Sequence, residues 1–259
     1  MTAYTRTPGP LVDVGVLLGR SLRHSVRSID ATISAIVLPL LILMVFVFIF
    51  GGALEAGTPE YLTYVVPGVV VLCAAFGSSS TAVSVNQDMT AGVIDRLRSL
   101  PVVGTAVLAG HVVASVVRNV VSTAVVVGVA VALGFRPTAS VGGWLAVLGL
   151  LALFMAGVSA LSAAFGLLVS SAEAAGALSF VLLFLPYVSS GFVPPETMPA
   201  VLHGFAAHQP MTPLIEAVRA LLLGAPVGSS GWLAVLWWGG FGLLGVLGAG
   251  FLFRRRAGG

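Results

Sequence analysis

Six long apolar runs, separated by short polar segments, dominate the pattern of this chain. A helix needs about 20 apolar residues to cross the ~30 Å hydrocarbon core of a bilayer, and each run is long enough. Prolines near the run ends are tolerated where neighbouring helices satisfy the freed carbonyls. The pattern predicts an all-α integral membrane protein with six transmembrane helices in a single domain, residues 1–259. The predicted spans are residues 33–53, 61–85, 114–133, 144–169, 174–193 and 232–253.

The segment before the first span has a helical period. Apolar residues recur at three- and four-residue steps over residues 11–29, while Arg20, Arg23 and Arg27 form a separate stripe. This predicts an amphipathic helix in the inner membrane interface, with its arginines available to anionic lipid. A loose helical leader without a mechanical role is the alternative.

The connection between the second and third spans, residues 86–101, also has one apolar face. Val93, Ile94, Leu97 and Leu100 share that face, and Pro101 ends the helix. A short rigid helix between two spans could transmit a push from a soluble partner. A solvated connector would fit the periodicity equally well.

The connection before the last span, residues 194–231, is rich in proline and contains a short apolar helix over residues 214–223, with Glu216 and Arg219 in it. About ten residues are too few to span a bilayer. We therefore expect this helix to lie at the outer surface or to dip in re-entrantly, where protein or water shields its backbone.

Composition agrees with a membrane location. Of the 259 residues, 58% are apolar and 8% are charged. In a soluble domain, roughly a quarter of the residues are charged. The formal net charge of +3 gives no indication of nucleic-acid binding. All basic residues are arginines, so the lysine of a Walker phosphate loop is missing and ATP would have to bind to another chain. No acidic residue lies in a predicted span core, which argues against proton coupling.

The arginines are distributed unequally between the two sides of the membrane. Nine lie on the side of the termini and of the connection between spans two and three, against two, Arg136 and Arg219, on the other side. Because arginine and lysine concentrate in cytoplasmic loops, both termini are predicted to be cytoplasmic. The protein is then a multi-pass protein of the plasma membrane.

Few residues suggest chemistry within the spans. Arg118 falls about one turn inside the third span, where its side chain could snorkel to the inner interface; a functional charge is the alternative. Cys73 is expected to be a buried packing thiol. His203 and His208 are five residues apart, which does not align ligands on a helix, so no metal site is expected.

Small residues repeat on two spans. Ala156, Ala160 and Ala164 recur at four-residue steps, and Gly242, Gly245 and Gly248 recur at three-residue steps. Such faces allow helices to approach closely. We expect them to serve packing within the subunit; a dimer contact is the alternative.

Several segments together resemble a known family. They are Ser190-Gly191-Phe192-Val193-Pro194, Gln209-Pro210-Met211-Thr212, the stretch from Glu216 to Gly224, and the stretch from Gly92 to Pro101. These are similar to the signature and linker segments of ABC-2 type transporter permeases, in particular of the daunorubicin-resistance-like drug exporters. The family more often has asparagine at the position of Gln209, a departure to which we attach little weight.

The resemblance implies a dimer of permease subunits, homomeric or heteromeric, that engages two copies of a separate ABC ATPase carrying ATP and Mg²⁺. The helix between spans two and three would contact the ATPase, and short outer helices would shape an outer gate. The implied coupling residues are Gly92, Val93, Ile94, Asp95, Arg96, Leu97, Arg98 and Leu100. The implied gate residues are Gly191, Pro194, Pro210, Glu216 and Arg219.

The expected function is that of a permease subunit without a nucleotide site or bound cofactor of its own. It would move a hydrophobic or amphipathic substrate, drug-like or lipid-like, outward with energy from the separate ATPase. A membrane enzyme acting on lipid-linked substrates, a polysaccharide or glycolipid export permease, and a scaffold or immunity factor that protects by binding are the alternatives.

Overall fold

The structure, a computed structural model, describes residues 29–50, 58–91 and 104–257, and every regular element within these ranges is helical. The predicted interfacial helix with Arg20, Arg23 and Arg27, and the predicted coupling residues 92–100, lie outside the described residues. The helices are α1 (Ile29–Met44, continued by a π-helical turn, Val45–Phe50), α2 (Thr58–Ser79), α3 (Thr81–Thr90), α4 (Gly104–Ala132), α5 (Val141–Leu168), α6 (Ala172–Phe184, continued by a 3₁₀ turn, Leu185–Val188), α7 (Ala200–His208), α8 (Met211–Leu222) and α9 (Ser230–Ala257).

Among the described residues, four stretches are long and apolar enough to cross a membrane, as an integral membrane protein requires. They have 25 to 30 residues, against the ~20 that a span needs. Two shorter apolar stretches, Ile36–Ile49 and Ala172–Val188, occur at the positions of the predicted first and fifth spans. The four long stretches are Tyr61–Thr90, Leu108–Ala132, Val141–Leu168 and Ser230–Arg255.

Helix α4 runs opposite to α2 and α5, and α9 runs parallel to α5, so the bundle has two distinct ends. At one, the start of α2 meets Ser190 and Arg219, and the Thr138 amide donates to the Leu222 carbonyl over 3.0 Å. At the other, Asp88 near the end of α3 meets His111 near the start of α4, at 3.1 Å. We call these the Arg219 end and the Asp88 end.

Helix α2 is the centre of the bundle. Its residues from Val69 to Ala75 are at most 1% exposed, and Cys73 among them is a buried thiol outside any disulfide, as the sequence predicted. Because lipid is as apolar as these side chains, the packing of α2 is governed by close fit more than by hydrophobicity.

Helices α5 and α9 pack against each other through their small residues. A Cβ added to Gly245 would lie 2.5 Å from the Leu161 nitrogen, and one on Gly157 would lie 2.8 Å from the Trp238 carbonyl oxygen. The two small-residue faces therefore serve packing within the subunit, which confirms that prediction.

Some helix ends differ from the predicted span limits. Helix α4 begins at Gly104, ten residues before the predicted start at residue 114, because a helix can continue past the hydrocarbon boundary from which that start was counted. The predicted fifth span continued to residue 193, but the helical backbone ends at Val188. Ser189 is extended (φ −145°, ψ −176°), and its hydroxyl donates to the Pro186 carbonyl.

Candidate functional site

Arg219 of α8 joins three segments that are distant in sequence. Its Nη2 donates to the Ser190 carbonyl over 2.6 Å, and Nε and Nη2 donate to the Tyr64 carbonyl over 3.3 and 3.2 Å. The guanidinium carbon also lies 4.1 Å from the centroid of the Tyr64 ring, which is cation–π geometry. One planar, multidentate cation thus binds the start of α2 to the backbone that follows α6.

Burial is the largest influence on the pKa of the Arg219 side chain. It lowers the pKa of the guanidinium from its ordinary value, while Tyr64 and Glu216 act in the opposite direction. Because an ordinary arginine pKa lies so far above neutrality, Arg219 stays protonated and donates all its hydrogen bonds as a cation.

Gly191, predicted as a gate residue, lies directly against α2. A Cβ added to Gly68 would lie 2.5 Å from the Gly191 carbonyl oxygen. The Tyr61 hydroxyl donates to the next carbonyl, that of Phe192, over 3.5 Å. The two glycines permit a backbone contact that any larger side chain at position 68 would prevent.

An aromatic stack covers the same region. The Phe192 ring lies 4.4 Å from that of Phe46 and 4.8 Å from that of Tyr187, centroid to centroid. Phe46 belongs to the π-helical turn after α1, so the stack brings the end of α1 to the Arg219 end.

Gln209 binds the backbone at the end of the apolar stretch Ala172–Val188. Its Nε2 donates to the Leu185 and Val188 carbonyls, over 3.3 and 3.2 Å, and its Oε1 accepts from the Met211 amide over 3.0 Å. The amide therefore caps the 3₁₀ turn and positions the start of α8 at once. The glutamine at this position, where the family more often has asparagine, thus uses both its donor and its acceptor.

Pro210 and Thr212 connect the same segment to two further helices. The Trp238 indole donates to the Pro210 carbonyl over 3.2 Å, and its ring packs edge-on to Phe154 at 4.4 Å. The Thr212 hydroxyl donates to the Ala206 carbonyl and accepts from the Ser190 amide over 3.4 Å. α9, α7 and the chain after α6 therefore all contact the first turn of α8.

Glu216 and Arg219 have different partners although they share one helix. The Glu216 carboxylate accepts from the Ser230 hydroxyl at the start of α9, over 2.9 Å. Pro194, the remaining predicted gate residue, accepts through its carbonyl from the Thr197 hydroxyl over 2.7 Å, at the protein surface. Gly191, Pro210, Glu216 and Arg219 thus belong to one packed block, and Pro194 lies at its edge.

Arg118 points its guanidinium into the bundle near the Asp88 end. Nη2 donates to the Ser80 hydroxyl over 2.8 Å and to the Gly77 carbonyl over 3.4 Å. The charge therefore has protein partners, and an inner-interface role remains a prediction.

Around Arg118 lies a buried polar cluster that the sequence analysis missed. The Asn119 amide donates to Ser78 and Ser115, and Ser159 donates to the Ser115 hydroxyl over 2.9 Å. An asparagine within an apolar run was the available signal, because a buried amide requires partners.

A mostly apolar cavity of about 340 Å³ lies between α2, α4, α5 and α8. Its only side-chain hydroxyl is that of Thr123, and the other lining residues are Val70, Val120, Ala124, Val127, Trp144, Leu145, Val147, Leu148, Leu151, Met155 and Leu222. Across residues 29–50, 58–91 and 104–257, no three His, Cys, Asp or Glu side chains come close enough to hold a metal ion.

The helical bundle and its long apolar stretches define an integral membrane protein. Residues 12–223 match the ABC-2 type transporter family, and this chain belongs to that family. It is 37% identical over 196 residues to the daunorubicin resistance ABC transporter permease protein DrrB1 of Streptomyces coeruleorubidus, a match covering 74% of this chain and 68% of that protein. It is 29% identical over 242 residues to the probable doxorubicin resistance ABC transporter permease protein DrrC of Mycobacterium tuberculosis, covering 87% and 84%.

The suspected resemblance is therefore confirmed. The chain is the membrane permease subunit of an ABC exporter, a class of subunit that works with a partner ATPase.

Proposed function

We propose that this permease moves a hydrophobic or amphipathic substrate, drug-like or lipid-like, outward across the plasma membrane, with energy from ATP and Mg²⁺ bound to the partner ATPase. The observation that carries the proposal is the family match over residues 12–223, which includes every helix from α1 to α8. The names of the relatives, which refer to daunorubicin and doxorubicin resistance, support a drug-like cargo.

The proposed topology has six spans with both termini in the cytoplasm. The four long stretches would be joined by Ile36–Ile49 and Ala172–Val188 as shorter spans. The helix directions support this, because α5 and α9 run parallel, as they would if α6 crosses between them. The last turns of α3 and α9 also lie at the same end of the bundle, where Val85 and Phe253 share one apolar cluster. Nine of the twelve arginines belong to segments at the proposed cytoplasmic side.

The proposed coupling segment is residues 92–100, between α3 and α4, which would contact the ATPase. Two permease subunits and two ATPase copies would form the working complex. At the opposite, outer end, the packed block around Arg219 would close the pathway. This division is supported by the structure of the Arg219 end, where a single half-buried cation binds carbonyls of two segments.

Transport can be tested with the permease and the ABC ATPase that purifies with it, reconstituted together in proteoliposomes. Doxorubicin and a fluorescent phospholipid would serve as probes. We expect ATP-dependent, vectorial movement of at least one probe, and none when the ATPase lacks its Walker lysine. Turnover of a lipid-linked substrate by the permease alone, without ATP, would contradict the proposal and favour a membrane enzyme.

The coupling segment can be tested by cross-linking. Cysteine at Gly92 or Ile94 should form an adduct with the ATPase, whereas cysteine at Val141, 80% exposed at the Arg219 end, should not. The native Cys73 is 1% exposed and does not compete for the reagent. Equal adducts from both ends, or none from positions 92 and 94 in an intact complex, would refute the assignment.

A further inference from the structure

The central helix is interrupted at Ser80, between α2 and α3. The Ser79 hydroxyl donates to the Phe76 carbonyl, and the Ser80 hydroxyl donates to the Gly77 carbonyl, each over 2.7 Å. Serine hydroxyls that bond back to the preceding turn compete with the helical backbone and bend helices. The break is therefore encoded locally and gives α3 a direction that can differ from that of α2.

Two consecutive residues of α4, Arg118 and Asn119, donate hydrogen bonds to the residues at this break. Arg118 donates to the Ser80 hydroxyl over 2.8 Å and to the Gly77 carbonyl over 3.4 Å, while Asn119 donates to the Ser78 hydroxyl over 3.2 Å. A Cβ added to Gly77 would lie 1.7 Å from the Asn119 Oδ1, so the amide occupies the space that this glycine leaves. The contact thus depends on residue types on both helices.

Beyond the break, α3 is attached to its neighbours at further points. The Asn86 amide donates to the Gly166 carbonyl over 3.2 Å and to the Val169 carbonyl over 2.9 Å, at the end of α5. Asp88 contacts His111 of α4 at 3.1 Å. Polar contacts of this kind are strengthened where the local dielectric is low.

The backbones of α3 and α5 also approach closely. A Cβ added to Gly166 would lie 2.4 Å from the Ala82 carbonyl oxygen. α3 is therefore tied to α4 and α5 by side chains and by close packing, whereas its connection to α2 passes through the interruption at Ser80.

We infer that, when the segment after α3 is displaced, α3 passes this displacement to its neighbours α4 and α5. In this transfer Arg118 is the positioning residue that sets the direction of α3. The inference rests on the proposed function in one respect, that residues 92–100 receive the push of the ATPase. An interrupted helix yields more easily than a continuous one, so movement along α2 is the weaker route. A purely electrostatic role for Arg118 at the membrane interface would not require the Ser80 hydroxyl.

The first test measures the direction of α3 in the full-length permease alone, in lipid nanodiscs. Spin labels at exposed Ala91, which follows α3, and at Val141, at the far end of α5, report the distance by pulsed EPR. We expect Arg118→Gln and Ser80→Ala each to shift or broaden the distance distribution, and the double variant to add nothing further. Arg118→Lys, which keeps a cationic donor, should restore much of the native distribution.

Arg254→Gln is the matched control. Arg254 also lies near the Asp88 end, but it donates to Gly250 of its own helix, over 3.3 Å, so its loss should leave the distribution unchanged. Ser80→Ala keeps the charge and tests the same contact if Arg118→Gln folds poorly. A native distribution in folded Arg118→Gln or in Ser80→Ala would overturn the inference.

The second test uses the complex with its ATPase and measures probe moved per ATP hydrolysed. Residues that modulate coupling without touching either ligand change it by about 2- to 30-fold, and we expect a loss in this range for Arg118→Gln, with ATPase binding retained. An unchanged ratio in this variant would overturn the inference. If the unsubstituted complex moves no probe, the proposed function fails, and the EPR distances still decide the role of Arg118.

Discussion

Replacing Arg219 by methionine should destabilise the Arg219 end of the bundle. Methionine keeps much of the apolar stem of arginine but removes the cation that binds the Tyr64 and Ser190 carbonyls. Because one side chain holds segments some 30 and 155 residues away, its loss should loosen the contact between α2 and the chain after α6.

The size of the effect follows from the contacts. The hydrogen bond to Ser190, at 2.6 Å, is charge-assisted and contributes about 1.5–3 kcal/mol. The Tyr64 ring adds about 0.5–2 kcal/mol, while the Tyr64 carbonyl adds little because it lies within α2. Removing a desolvated charge offsets part of the loss, and Glu216, which loses a favourable charge nearby, keeps its hydrogen bond from Ser230. We expect the free energy of unfolding to fall by about 2–3 kcal/mol, or about 5–10 °C in the thermal midpoint.

The single cysteine provides the assay. Cys73 is 1% exposed, so a thiol-reactive fluorescent dye should report unfolding of the purified chain in detergent. Arg219→Lys, which keeps the charge without the planar fork, should lose about half as much as methionine. Arg136→Met is the matched control, since exposed Arg136 donates to the nearby carbonyls of Val131, at the end of α4, and Phe135, and its loss should stay below about 1 kcal/mol. Equal midpoints for Arg219→Met and Arg136→Met would refute the reasoning.

Two further substitutions test close packing with the same dye assay. Gly68→Ala should lower the free energy of unfolding by about 1–3 kcal/mol through overpacking against Gly191, whereas Gly149→Ala, with nothing within 4 Å, should be neutral or slightly stabilising; equal effects would contradict the backbone contact. Trp238→Phe loses the hydrogen bond to Pro210 and packing at a fully buried site, and should lower the free energy of unfolding by about 1–3 kcal/mol. Trp237→Phe, at a side chain 41% exposed, should change this free energy by less than about 0.5 kcal/mol. A larger loss from position 237 than from position 238 would refute this reasoning.

Apolar length alone located the long helices, because the bilayer sets a minimum length that sequence reveals directly. It located their ends less well. The start of α4 at Gly104 was missed because helices can continue into the interface, and the end at Val188 was missed because the backbone turns at Ser189 while apolar residues continue. Apolarity measures the solvent of a segment, whereas helix ends depend on local hydrogen bonds.

The site could be predicted only as a set of segments. Glu216 and Arg219 were selected together, yet they contact Ser230 and Ser190, and the sequence gives no means to pair residues so far apart. Gln209 is the clearest example, because its three partners are backbone groups, which carry no signal of their own in a sequence. The residue types indicated hydrogen bonds, but only the fold identifies their partners.

The two half-buried arginines, Arg118 and Arg219, have a common property that explains how α2 keeps its position. Arg219 donates to the carbonyl of Tyr64 and Arg118 donates to that of Gly77, so both cations bind the backbone of the same helix. These carbonyls are thirteen residues apart, about 20 Å along a helix, near the two ends of α2. An apolar helix in apolar surroundings has little hydrophobic reason to prefer one axial position over another. Directional bonds from two fixed cations supply that preference, and a change at either end must then move α2 relative to its neighbours or break a charged hydrogen bond.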